Sequence, residues 1–126
     1  MPALVTVLEM NMGILSSLRG PDIDGFAKQL AGDLSSRYPA SVEQSTQKRI
    51  SVNRVTRLLE ETFAQAEAFK NEHRLGWVKK AKLGNSFRWE LKELGYSEKF
   101  IEVATEGLIV YITRKTNAAA EPGKTE

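Results

Sequence analysis

One apolar stripe, between Ser51 and Arg74, constrains the fold of this chain more than any other stretch. Val52, Val55, Leu59, Phe63, Ala66 and Phe69 recur at three- and four-residue steps, the period of a single helix face. Arg54, Arg57, Glu61 and Glu72 fall on the opposite face. Ser51 is placed as an N-cap whose hydroxyl accepts a first-turn N–H, and Ile50 and Val55 are spaced as a hydrophobic staple. The pattern predicts an amphipathic helix over 51–74. Such a stripe has to be covered, by the rest of the chain or by a second copy of it.

The same punctuation predicts three further helices. Asp22 caps a helix over 22–37 with Ile23, Phe26, Leu30 and Leu34 as its stripe, and the restriction that Pro39 places on Tyr38 ends it. Ser97 repeats the cap, with Tyr96 and Ile101 as its staple and Gly95 able to take the left-handed conformation that closes the preceding helix. In the last helix, over 98–114, Phe100, Ala104, Leu108, Tyr111 and Ile112 share a face. Ile109 and Val110 lie off that face, which makes the helix end apolar nearly all round and places it at the centre of the core. The fold class is therefore all-α, a compact bundle of about four helices. The alternative is α+β, with a strand over 108–113 paired with 3–8, because β-branched residues crowd there and Gly107 weakens a helix.

The turn in LKELGYSEKFIEVA, Leu91–Ala104, resembles that of the ubiquitin-associated domain, with Leu94-Gly95-Tyr96 in the place of its Met-Gly-Phe loop. Any tight helix–helix turn uses the same residues, and no function is carried across. Residues 39–49 read as a polar loop and 115–126 as a disordered tail. Residues 1–21 read as an N-terminal extension or docking hook that sets Ile14, Leu15 and Leu18 on the core. Met12 offers an alternative start, from which Gly13 onward matches a myristoylation pattern; the hook is the preferred reading.

Composition removes several kinds of chemistry. The 126 residues fit one domain, and 41% apolar and 27% charged residues are ordinary for a globular chain. Without cysteine there is no disulfide, no thiolate nucleophile and no Cys-ligated metal. The one histidine, His73, makes a multi-histidine site impossible and lies in a last helical turn, where the dipole favours a cation. The glycines at 76, 84 and 95 are too far apart for a phosphate-binding loop, and no serine stands in a nucleophile elbow. Glu60/Glu61 and Asp22/Asp24 are explained by a solvated helix face and a helix start. The chain reads as non-enzymatic, with no metal or cofactor implied. No apolar run approaches the roughly 20 residues that cross a bilayer, and no basic segment precedes the first apolar stretch, so the expectation is a soluble, cytoplasmic protein.

The stretch GWVKKAKLGNSFRWELKELGYS, Gly76–Ser97, holds both tryptophans. Drawn as one helix over 77–94, it puts Leu83, Phe87, Leu91 and Leu94 on one face and Trp77, Val78 and Ala81 well away from it. Two short helices with a bend near Gly84 account for this, with Gly76 and Gly84 as helix ends and Asn85 or Ser86 as a cap. Trp89 points almost opposite the stripe. Packing between helices is the preferred explanation, ahead of an anchor for a protein partner and a stacking platform for unpaired bases.

Six cations lie between Lys70 and Trp89 against one acid, Glu72, whereas five glutamates outnumber two lysines over 90–106. The candidate binding residues are Trp77, Lys79, Lys82, Arg88 and Trp89, for a protein partner first and nucleic acid second. A net charge of +2 and the absence of a recognition motif count against nucleic acid, and the Ala81–Gly84 spacing departs from that of a helix-turn-helix. A homodimer through the long helix is a third reading. A second basic cluster, Lys48, Arg49, Arg54 and Arg57, surrounds the start of the long helix and opposes its dipole. An anionic ligand would compensate it. Glu90, Glu93, Glu98, Glu102 and Glu106 of the last two helices would do so too, and that is the preferred reading.

Overall fold

Side-chain caps set the helix starts in the computed structural model, which describes residues 21–46 and 50–114. Asp22 accepts the Gly25 N–H at 2.9 Å and opens α1, Ile23–Arg37. Ser51 Oγ accepts the Arg54 N–H at 3.2 Å and opens α3, Val52–His73. Ser97 Oγ accepts the Phe100 N–H at 3.2 Å and opens α5, Glu98–Thr113. Each such cap contributes about 1 kcal/mol. Between them stand a one-turn helix α2, Ala40–Glu43, inside the stretch expected to be loop, and α4, Trp77–Glu93. Gly95 closes α4 at a φ of 90°, in the left-handed region that favours glycine.

The principal contacts pair α1 with α4, α4 with α5, α5 with α3 and α3 with α1. Four helices therefore close a ring around one core, and α3 faces α4 across its diagonal. Contacts between individual residues give the directions. Phe26 stacks on Phe69 and Arg37 pairs with Glu61, so α1 and α3 are antiparallel. Ser86 bonds Asp24 while Tyr96 bonds Tyr38, so α1 and α4 are parallel. The core is filled by Leu30, Leu34, Leu83, Phe87, Leu91, Leu108 and Ile112, all fully buried. No strand forms among the described residues. The two-strand alternative fails at 108–113, where Leu108 and Ile112 land one turn apart in the core and their burial outweighs β propensity. Residues 3–8, the N-terminal hook, the Met12 start and the tail after 114 lie outside the described residues.

Two sequence expectations about the helices are corrected. First, α4 is one helix running unbroken through Gly84, Asn85 and Ser86. Gly84 is not an end: it is buried, and a Cβ there would stand 2.3 Å from Ile109 Cδ1. Its missing side chain lets α4 and α5 approach. The split stripe that suggested a bend comes from Trp77, Val78 and Ala81, which lie straight on the helix but face outward. Leu94, counted with the stripe, sits past the last turn and is exposed. Second, the end of α5 is not apolar core on every side: Val110 is exposed, as is Val103 one heptad earlier. Gly107 does not break α5; a Cβ there would meet the Phe63 ring at 2.5 Å, so it is the point where α3 approaches. On α3, Val52 is exposed while Thr62 and Lys70 are buried with the stripe. The Thr62 hydroxyl donates to the Leu58 carbonyl at 3.0 Å. Burial holds the Lys70 ammonium below the usual lysine range; Lys80 and Arg114 push the same way and Glu67 opposes them.

One end of the bundle is locked by polar contacts between two turns. Glu43 accepts both the Ser97 N–H, at 3.1 Å, and the Ser97 hydroxyl, at 2.6 Å. Gln44 donates to the Gly95 carbonyl at 2.6 Å, and the buried Tyr96 hydroxyl donates to the Tyr38 carbonyl at 2.6 Å. Burial raises the Tyr38 and Tyr96 phenols above the ordinary tyrosine range. These bonds explain α2: its turn carries Glu43 and Gln44 to the place where α4 ends and α5 begins.

Candidate functional site

Helix α4 lies between α1 and α5 and is covered on its inner side only. At 100° per residue, Leu83, Gly84, Phe87 and Leu91 project inward, and all four are buried. Val78, Ala81, Lys82, Asn85, Trp89 and Lys92 project outward, and all six are exposed. Trp89 retains 56% of its surface and Trp77 retains 79%. The preferred sequence explanation for Trp89, packing between helices, is thereby corrected. The neighbours α1 and α5 flank α4 on either side of its core face, and no described element reaches the direction in which Trp89 points.

Three of the five candidate residues, Trp77, Arg88 and Trp89, line three separate grooves. Trp77 lines a mostly apolar groove of about 360 Å³ with Lys80, Ala81, Ile109 and Thr113. Arg88 lies farther along the same α4–α5 seam, in a groove of about 220 Å³ with Glu98, Ile101, Glu102, Thr105 and Glu106. There the Thr105 hydroxyl oxygen is buried without a hydrogen-bond partner. Trp89 is on the opposite flank, in a groove of about 420 Å³ between α1 and α4 lined by Asp24, Asn85, Ser86 and Glu90. Lys82 stands 3.8 Å from Asp24 beside it, an exposed ion pair that stabilises little. Lys79 is half-buried on the side of α4 turned toward α1. Trp77 and Trp89 are twelve residues apart, about 18 Å along the axis at 1.5 Å per residue. Together they form an extended face and not one pocket.

The second basic cluster is only partly described, since Lys48 and Arg49 lie outside the described residues. Arg54 and Arg57 open onto a groove of about 590 Å³ with Arg37, Ser51, Asn53 and Glu61. Arg37 pairs with Glu61 at 2.7 Å. For Arg54 and Arg57, no described ion pair supplies the compensation expected from the late glutamates. Glu98, Glu102 and Glu106 line the Arg88 groove and Glu90 the Trp89 groove, on the side of the bundle away from the start of α3. The first turn of α3 contains no acid. Sequence reasoning did not include Arg37, since only the antiparallel pairing of α1 and α3 brings it to Arg57. It also left out Val103 and Val110 as surface residues, although their spacing of seven marked a common helix face.

His73 is exposed at the end of α3, its ring 4.5 Å from that of Phe69. Among the described residues, no three His, Asp or Glu side chains are grouped to hold a metal ion. No described helix is long and apolar enough to cross a membrane. No known protein family, curated protein or solved structure matches the chain.

Proposed function

We propose that this chain is a non-enzymatic protein-interaction or regulatory domain whose contact surface is the exposed side of α4, with Trp77, Lys82, Arg88 and Trp89 and with Lys79 at its edge toward α1. The exposure of Trp89 supports this reading above all. An indole left in water holds roughly 100 Å² of apolar surface, worth about 2–3 kcal/mol when a partner covers it. Tryptophan and arginine are also the residue types most enriched among the dominant contacts of protein interfaces. The face pairs such apolar anchors with a rim of Lys82, Arg88 and Lys92, the arrangement of a selective interface. The test is affinity capture with the wild type and with Trp89→Ala, alongside Val52→Ala as an exposed control on another helix. Capture lost with Trp89→Ala alone, at unchanged helical circular dichroism, is the expected result. Equal capture by all three chains sinks the reading.

Single-stranded nucleic acid is the second reading, favoured by exposed Lys82, Arg88 and Lys92 on the same helix as the Trp89 ring. It ranks second because Asp24 and Glu90 share that ring's groove and repel phosphate. Titration with labelled single strands at two salt concentrations decides it, since phosphate contacts require binding that weakens as salt rises.

A further inference from the structure

We infer that the outer face of α4 and α5 is the interface of a homodimer, so that the partner of the surface proposed above is a second copy of this chain; the inference rests on that reading. Seven large apolar side chains are exposed among the described residues, and five of them, Trp77, Val78, Trp89, Val103 and Val110, lie on these two helices. The helices run antiparallel, in a register that sets Gly84 against Ile109 and Arg88 against Ile101 and Thr105. Carried along both, this register puts Trp89 at the height of Val103, and Trp77 and Val78 about one turn from Val110. A two-fold axis parallel to the helices, along their shared groove, lays α4 of each copy over α5 of the other without changing any height. Trp89, on the α1 side of α4, then stands at the rim of the contact beside the partner's Val103, and Trp77 and Val78 approach the partner's Val110.

Charge obeys the same symmetry. Lys82 turns to Asp24 of its own chain; the remaining exposed cations on α4 are Arg88 and Lys92, whereas exposed acids on α5 are Glu98, Glu102 and Glu106. Laying α4 over the partner's α5 brings cations to carboxylates; laying like helix over like opposes equal charges. The two exceptions in sign, Glu93 on α4 and Lys99 on α5, also stand at one height, within a residue. An isologous contact needs this property, because a single patch must complement itself under rotation. The long-helix dimer considered from sequence lacks it: the apolar stripe of α3 is spent on the core, with Leu59, Phe63 and Ala66 buried.

Sedimentation equilibrium of the full chain, from low to high micromolar concentration, tests the inference. The expected mass at high concentration is twice the chain mass of 14.1 kDa. Val103→Asp and Trp89→Ala should each weaken association at least tenfold with helical content unchanged, since both residues are exposed. The absence of cysteine allows a second measurement. Asn85→Cys and Glu106→Cys chains, mixed and oxidised, should form a mixed disulfide, because these positions meet across the axis. A monomer at the highest concentration overturns the dimer while leaving the α4 surface to a different protein. A dimer indifferent to Val103→Asp, or one giving no mixed disulfide, overturns the assigned face. The broader reading of α4 fails separately, when a monomeric chain captures the same partners with and without Trp89.

Discussion

Among the described residues the two longest helices, α3 and α4, place charged and aromatic side chains against expectation in opposite senses. On α3 a lysine, Lys70, is enclosed with the apolar stripe; on α4 two tryptophans face water. Hydrophobicity alone would exchange these positions. The inner faces instead follow what neighbouring helices can accommodate: small residues, Gly84 and Gly107, where helices approach, and a long lysine stem that can lie along apolar surface. The outer face of α4 is under no such demand, and it is there that large aromatic surface has been kept free. The packed core and the exposed aromatic surface thus occupy different faces of one bundle.

Five substitutions sharpen or break this contrast. The largest effect belongs to Phe87→Ala, on the inner face of α4, which should cost about 3–5 kcal/mol by urea unfolding. A loss under about 1 kcal/mol would mean that this face is not the core. Next is Gly107→Ala, where a Cβ would stand 2.5 Å from the Phe63 ring. The rigid ring and helix backbone have to move apart, and a loss of about 2 kcal/mol is expected in the same assay. Gly84→Ala should cost less, because the obstructing atom is the movable end of Ile109.

Lys70→Met should act in the other direction, stabilising the fold at neutral pH by less than about 1 kcal/mol, since solvent screens part of the charge. The sign follows from the lowered ammonium pKa in the folded state. At neutral pH the folded and unfolded chains are both protonated there, and the whole cost of enclosing the charge is present. Between the lowered folded value and 10.5 the unfolded chain binds more protons, so the wild type gains stability as pH rises and its gap to the variant closes. Melts from neutral pH to above 10 measure this; a gap that stays constant would place the stabilisation in packing alone. The smallest effect on folding is expected for Trp89→Ala, under about 1 kcal/mol, as for other surface changes. A loss as large as that of Phe87→Ala would erase the distinction between the two faces.

Much of the secondary structure was legible because its causes are local. Asp22, Ser51 and Ser97 each meet an N–H three residues on, within their own turn, and Gly95 supplies the left-handed residue where it was expected. The candidate site was legible in part. Trp89 was correctly aimed away from the stripe, yet whether another helix met it there depended on contacts far along the chain. Gly84 was misread, and Gly107 lent support to the strand alternative, for the same reason: a glycine that admits a neighbouring helix looks, in sequence, like one that ends its own.

By itself the sequence determined four main helices, the side-chain caps of three of them and most of each inward stripe, because hydrogen bonds within a turn and the 3.6-residue period involve only nearby residues. The ring order of those helices was a tertiary decision. So were the enclosure of Lys70, the joining of Arg37 to Arg54 and Arg57, and the face of α4 and α5 left open to solvent. Each depends on which distant segment arrives at a given side, and shape and close packing settle that only when the whole chain has come together.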